Sequence, residues 1–493
     1  MLISLGIALV TLMMKCPAFS NPLGGYFGSY QAVNAMMAEM MGGGSVADLF
    51  IPRTFILVNG APGLHLLYYP FGSLVAFLSN TLLGGGIPWW GRFQAGIFVF
   101  GATILLFPIA RRFLTEKKAL LTVFFFSFFP MVLLSGITFQ NEAAALFFLM
   151  LSFWLLDSAV LAKILLSGLV FSLALTARIH FGIALPAFLI WINREKFSFR
   201  TTFVFLIGAA IPVAAWVFWM HVLQFHDAAH VQTSLFTQSG EGRFLITSLF
   251  KSFDFYKRIL SILGTYWCTP ILFPFALISL FRLKKEPVAL LVWAWGSLSL
   301  ILILPQKVMD HPFYLLCGAP AVAILITSLL GLLWDRWGLT VKLLFCGAFI
   351  LLAMRYYLPP ASRFSEVERN MPRIGSVVQQ ISRPEDVVIV QYGPSAGLLY
   401  YCHRKGWSFD LGMSKAGGRH LIKQARHQQL FQEGYGDPIF WLEKLRRDGA
   451  KFLVISGPSE YYASTKFSDY VRSHFKPVAI PDRSFLIFRL EEK

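Results

Sequence analysis

The chain has 493 residues, 56% hydrophobic, 16% aromatic and 14% charged, with a formal charge of +17 and a mean hydropathy of +0.61. Soluble domains carry about 25% charged residues, so an ordinary soluble protein is excluded. The positive balance does not point to nucleic acid, because many Lys and Arg fall in short loops between apolar runs, where they set membrane topology.

Apolar runs of spanning length recur from residue 2 to about residue 357 and predict about eleven membrane helices: 2–19, 93–110, 119–138, 142–157, 162–177, 180–193, 201–222, 259–281, 287–304, 312–333 and 338–357. The first run lacks a basic flank and a small-residue cleavage site, so it reads as an uncleaved span rather than a signal peptide. Stretch 63–83, "GLHLLYYPFGSLVAFLSNTLL", is apolar enough to span. Counting it would invert every later loop, and Pro70 and Gly72 weaken it as a straight helix. It reads as a helix lying along or dipping into the outer face, within an external loop 20–92. Five scattered cysteines (Cys16, Cys268, Cys317, Cys346, Cys402) contain no CxxC pair, which indicates neither a zinc site nor a disulfide framework.

Alternate connections carry the basic residues: "RRFLTEKK" (111–118), Lys163, "NREKFSFR" (193–200), "RLKKEP" (282–287) and "WDRWGLTVK" (334–342). Short basic loops favour the cytoplasm. The other connections therefore face outward, together with everything after the last span.

That topology gathers the unusual polar residues on one face. Gln140, Asn141 and Glu142 open the fourth span; Arg178 and His180 sit between the fifth and sixth; Gln306, Lys307, Asp310 and His311 lie between the ninth and tenth. Loop 20–92 adds Tyr30, Gln31, Asn34, Glu39, Asn59, His65, Tyr68 and Tyr69. Each has a plain structural reading: Arg178 or Lys307 can snorkel to headgroups, and Glu142 is favourably placed near a helix N-terminus. Three short loops with mixed carboxylate, cation and imidazole nonetheless point to a shared cavity. Its cations suit a lipid phosphate, and its carboxylate suits proton removal from a hydroxyl. No GxxxxGK[ST] and no strand–GxGxxG–helix unit is present, so a nucleotide site is not indicated.

From Arg363 onward charges are dense and helical and strand patterns alternate. "FSEVERNMPRIGSVVQQI" has helical spacing, "DVVIVQY" (386–392) reads as a strand, and "DPIFWLEKLRRDGAKFLVIS" (437–456) as helix, Gly449 stop and buried strand. A hairpin around Pro481–Asp482 closes a small soluble α/β domain. The basic turn with His403, Arg404, Lys405 and Trp407 reads first as a solvated turn and second as a contact for an anionic glycan or lipid head.

In order and spacing these segments resemble the GT-C superfamily of membrane glycosyltransferases, in the branch of the protein O-mannosyltransferases and the lipid A aminoarabinose transferase. "ADLFIPRTFILVNGAPGLHLLYYPFGSL" is similar to the family's external-loop segment. "QNEAAALFFLMLSFWLL" resembles its second acidic motif and places Glu142 at the motif carboxylate. "LALTARIHFGIALPAFLIW" puts Arg178 near the family's lysine. "KVMDHPFYLLCGAPAVAIL" resembles the segment whose cations approach the lipid-phosphate donor. The resemblance covers about residues 20 to 330.

It implies a polytopic α-helical GT-C membrane domain over 1–357, including loop 20–92, and an extracytoplasmic α/β domain over 358–493. It further implies a glycosyltransferase moving a sugar from a polyprenyl-phosphate donor to a glycan, lipid or protein acceptor on the outer face, a bacterial inner membrane being the expected setting. Glu142 is then the catalytic base; Arg178, His180, Lys307, His311 and Tyr314 hold the donor phosphate; Tyr30, Gln31 and Asn34 lie at the first-loop acceptor position. The donor is substrate, no cofactor and no metal ligand is assigned, metal dependence stays open, and the partners are membrane lipids with no nucleic acid. One departure matters. The family opens its first external loop with an acidic pair, and "YQAVNAMMAEMM" has Tyr30 and Gln31 there. That keeps open a catalytically inactive relative that binds lipid-linked glycan. A lipid or glycan transporter is the other alternative, though no internal repeat supports it.

Overall fold

The computed structural model describes the chain except residues 26, 158–159, 195–197, 235–245, 247–248, 283–286, 392–395, 410–436, 481–483 and 493. Two compact units emerge, one formed by 1–19, 89–219 and 236–362, the other by 20–88, 220–235 and 363–493.

The first unit is helical, and each run expected to span lies on helix, several with breaks. Among the described residues, four helical stretches are long and apolar enough to cross a membrane unaided: Ile87–Ala110, Phe199–His226, Pro312–Trp334 and Leu339–Ile381. Other runs are split. The 119–138 run divides into Glu116–Ser127 and Pro130–Ser135, because the residue before a proline is pushed out of helical geometry.

Helices Glu142–Leu155 and Leu161–Ala177 form an antiparallel hairpin with a polar clamp in its apolar interior. Ser152 Oγ donates to the Ser167 carbonyl and Ser167 Oγ to the Ser152 carbonyl, each at 2.8 Å. Small hydroxyl residues let membrane helices approach closely and satisfy each other across the seam. At the next seam Gly168 faces Gly208: a Cβ on Gly168 would lie 3.1 Å from the Gly208 Cα.

The second unit is built on an eight-stranded sheet of order β3-β2-β1-β5-β4-β6-β8-β7. Its strands are β1 (Arg53–Val58), β2 (Ala61–Leu66), β3 (Val231–Ser234), β4 (Val387–Gln391), β5 (Gly406–Phe409), β6 (Ala450–Ile455), β7 (Phe475–Pro477) and β8 (Leu486–Glu492). β1 and β2 form a hairpin, with Val58 opposite Ala61. The turn residues Asn59 and Gly60 have φ of 49° and 83°, the left-handed pair that a two-residue turn between twisted strands requires.

This corrects the reading of 63–83 as one surface-lying helix. Its start belongs to β2, and only Phe71–Leu83 is helical. The Asn-Gly turn is a stronger short-range signal than apolar length, because it fixes the register of both flanking strands.

The tail elements follow the sequence. Glu366–Ile381 starts with a capping box in which Ser365 and Glu368 satisfy each other's backbone N–H. Asp437 caps Pro438–Arg447, Gly449 follows with φ of 105°, and β6 runs down the middle of the core. Ile389, Leu442, Leu453, Tyr461, Phe467 and Phe488 pack together around it. β7 and β8 pair antiparallel; the expected turn at Pro481–Asp482 lies outside the described residues. Gly406 occupies the register of both Ile56 on β1 and Val388 on β4. A Cβ there would collide with the Val388 carbonyl, so glycine is what admits β5 between its neighbours.

Candidate functional site

The hairpin of the first unit brings Glu142 and Arg178 together by register. Ser152 lies ten residues after Glu142 and Ser167 eleven before Arg178, so a clamp between the serines puts the two charged residues level, ~15 Å further along at 1.5 Å per residue. Arg178 Nε lies 2.7 Å from Glu142 Oε1. The carboxylate sits in the first turn of its helix and the guanidinium just past the end of its own, each at the helix terminus whose dipole favours it.

The pair is buried, with Glu142 1% and Arg178 7% exposed. Glu142 Oε2 has no hydrogen-bond partner among the described residues. An ion pair removed from water costs several kcal/mol per ion before its attraction is counted. It is therefore weak evidence of stability and better evidence of a working site.

A third segment completes the group. Pro312–Gly318 forms a short 3-10 turn ahead of helix Ala319–Trp334. Its backbone is pinned by two buried indoles: Trp267 Nε1 donates to the Leu315 carbonyl at 3.0 Å and Trp293 Nε1 to the Cys317 carbonyl at 2.7 Å. The Arg178 guanidinium then lies 5.8 Å from the Phe313 ring centroid. His180 packs on Tyr314 with ring centroids 4.5 Å apart. Phe313 stacks between His311 at 5.4 Å and Tyr314 at 5.2 Å.

Five of the six first-unit candidates, Glu142, Arg178, His180, His311 and Tyr314, thus belong to one contiguous group. Lys307, on helix Pro305–Asp310, joins it through its backbone, where its carbonyl accepts the His311 N–H at 2.8 Å. The chemistry is a carboxylate, a bidentate-capable guanidinium and imidazoles beside an aromatic shelf, a set able to hold an oxyanion and to move a proton.

The first-loop candidates lie in the second unit, on helix Gly28–Met40. Gln31 is buried, and its amide reaches the Gly24 carbonyl at 3.4 Å. Asn34 is fully buried and accepts from the Tyr68 hydroxyl at 3.1 Å, while its carbonyl accepts from Ser73. Tyr30 is half-buried. Gln31 and Asn34 therefore hold their helix in its surroundings.

The basic turn is structural in its largest part. The Arg404 guanidinium donates to Ser382 Oγ and to the carbonyls of Gln379, Ser382 and His403, closing the C-terminal end of Glu366–Ile381. His403 Nδ1 lies 2.9 Å from Glu39 Oε2. The Tyr400 hydroxyl stays protonated well above its usual range, through burial first and the Glu39 charge second.

Sequence reasoning missed the buried cations of the first unit. Lys15 is 1% and Arg92 2% exposed, and Arg92 reaches the Ala18 carbonyl at 3.5 Å. The signal was available, since a lysine near the end of an apolar run is costly unless it faces polar groups. Among the described residues no group of three or more His, Cys, Asp or Glu is placed to hold a metal ion.

Residues 70–220 match the dolichyl-phosphate-mannose-protein mannosyltransferase family. In fold the chain is similar to ArnT from Cupriavidus metallidurans, solved bound to undecaprenyl phosphate, with a TM-score of 0.66 and 14% identity over 99% of this chain and 97% of that one. The oligosaccharyltransferase of Archaeoglobus fulgidus gives a TM-score of 0.54 at 13% identity, covering 96% and 73% of the two chains. The arabinofuranosyltransferase AftD from Mycobacteria gives 0.55 at 14% identity, covering 99% of this chain and 40% of that chain. No curated protein matches the sequence.

Proposed function

We propose that this chain, a membrane glycosyltransferase of the GT-C superfamily by its fold and its matched segment, transfers a hexosyl or pentosyl unit from a polyprenyl phosphate to an acceptor hydroxyl on the outer face of the membrane. The observation that carries the reading is the buried Glu142–Arg178 pair, set where the resemblance places the motif carboxylate and a donor-facing cation.

In this reading the acceptor oxygen attacks the anomeric carbon, the bond from that carbon to the phosphate oxygen breaks, and the lipid phosphate leaves with the electron pair. Glu142 receives the acceptor proton. Arg178 steadies the carboxylate and, with its planar fork, favours the charge growing on the departing phosphate. His180, Lys307, His311 and Tyr314 complete the phosphate side. Undecaprenyl phosphate on ArnT supports the lipid-linked donor, and the basic residues of the alternate loops support an outward-facing site and an extracytoplasmic domain 358–493 in a bacterial inner membrane.

A second reading has an observation of its own. Tyr30 and Gln31 replace the expected acids, and Gln31 is committed to Gly24, which favours an inactive relative that binds lipid-linked glycan. The test is release of polyprenyl phosphate from a polyprenyl-phosphate sugar by the purified chain. Turnover lost in Glu142→Gln and Arg178→Ala supports transfer. Full turnover in both overturns the site, and donor binding without release in the unaltered chain selects the second reading.

A further inference from the structure

Lys15 sits at the break between helices Leu2–Met13 and Cys16–Phe19, where its own N–H bonds the Leu12 carbonyl. Its side chain does not run outward to solvent. The stem packs over Gly136, so closely that a Cβ added to that glycine would lie 2.7 Å from Lys15 Cε and 3.1 Å from Nζ. Gly136 thus forms a notch that only a missing side chain provides.

With 1% exposure, the ammonium has neither an ion pair nor a hydrogen bond among the described residues. A buried lysine in that state is one of the more expensive features a helical membrane unit can carry. Hydrophobic residues of the same length would pack as well at no such cost.

Gly136 opens the segment that ends at Glu142. The side chains between them include Thr138, Gln140 and Asn141, all buried. Gln140 Nε2 also has no acceptor among the described residues. One short segment therefore combines a buried ammonium against its first residue, a buried amide donor lacking an acceptor, and the carboxylate held by Arg178. Two donors without acceptors call for an oxygen-rich anion, since a buried donor left unsatisfied costs more than a made hydrogen bond returns.

We propose that Lys15 and the segment 136–142 form an anion-binding subsite, with the Lys15 ammonium supplying its charge and the Gln140 amide a second donor, and that its ligand is the phosphate group of the lipid. The inference rests on the function proposed above and adds to it a residue outside every segment that carries the resemblance. Lys15 is retained at a cost to the empty protein because the bound phosphate pairs with it.

The experiment is thermal unfolding of the full-length chain in detergent, titrated with undecaprenyl phosphate and separately with inorganic phosphate. It compares the unaltered chain with Lys15→Met and Gly136→Ala. Lys15→Met removes the charge but keeps an unbranched stem. Its ligand-free midpoint is expected to rise and its affinity for the lipid phosphate to fall about tenfold or more, as for loss of a charge-assisted contact. Gly136→Ala leaves the charge but fills the notch, and is expected to weaken binding in the same direction.

A Lys15→Met chain that binds as tightly as the unaltered one and melts lower overturns the inference, because Lys15 is then structural. If the unaltered chain responds to inorganic phosphate but not to the lipid, and Lys15→Met abolishes the response, the subsite stands and the lipid-donor reading falls. No response of the unaltered chain to either probe sinks both.

Discussion

Arg178 and Arg404 are each 7% exposed, yet they are buried for different purposes. Arg404 spends its guanidinium on a helix end: three carbonyls and one hydroxyl, all from nearby chain, absorb its donors. Such an arginine is neutralised by dipoles that would otherwise be left open, and it needs nothing from outside the fold. Arg178 faces a carboxylate across a helical hairpin and an aromatic ring from a third segment. Burial alone does not separate the two. What separates them is whether the charge meets the backbone that positions it or a second ionisable group brought from elsewhere.

That contrast can be broken most directly at the ion pair. Glu142→Gln is expected to lower sugar transfer by about 10²–10⁴-fold, the usual worth of a positioned base, in a steady-state assay of donor consumption. It also strands the guanidinium, so the thermal midpoint should fall by the equivalent of roughly 3–5 kcal/mol, whereas a paired Glu142→Met, Arg178→Met chain should recover most of it. A double variant as unstable as the singles would mean that the pair is not one electrostatic unit. Arg404→Ala should act on the other side of the comparison, costing about 2–4 kcal/mol in chemical unfolding through lost charge-assisted bonds. Donor affinity in the folded fraction should stay unchanged.

The hairpin clamp tests how the site is held. Replacing Ser152 and Ser167 together by Ala should cost about 1 kcal/mol, in keeping with hydrogen bonds between membrane helices, with kcat falling more than KM changes as Glu142 and Arg178 lose register. The smallest effect belongs to a surface pair in the second unit. Burial alone would raise the Asp227 carboxyl, but hydrogen bonds from His230 and Arg53, and then their charges, outweigh it and hold the group below its model value of 3.8. A depressed carboxylate stabilises the fold above the unfolded value and loses that contribution as pH falls through the folded one. Asp227→Asn should therefore cost about 1 kcal/mol or less at neutral pH, and the difference from the unaltered chain should vanish near pH 3 and below in a melting series.

Much of the site was legible because its residues are anomalies. A Glu in apolar sequence, and an Arg beside a His in a turn too short to be a solvated loop, stand out one at a time. Their meeting follows from two helices of similar length joined by a short turn. Lys15 and Arg92 were harder, because a cation near a span end has an ordinary explanation in snorkelling, and only the packing against Gly136 and the reach to Ala18 remove it. The helices of the first unit were readable from apolar length, while their breaks needed attention to each proline. The sheet was half legible. β4 and β6 carry the β-rich runs that marked the tail, but nothing local in Arg53–Val58 says that its edge pairs with residues 350 positions later. Its Asn-Gly turn announces a hairpin and leaves the partner strand unspecified.

That distant pairing also sets an order of events during synthesis. β1 and β2 leave the ribosome early, yet the parallel partner of β1 begins at Gly406, after all the apolar helices have been made. Until then the hairpin offers an open edge to whatever strand it meets. A chain that stops short of β5, or carries a bulkier residue at 406, would keep that edge exposed and be marked for degradation, so closing the sheet acts as a completeness check on the whole polypeptide.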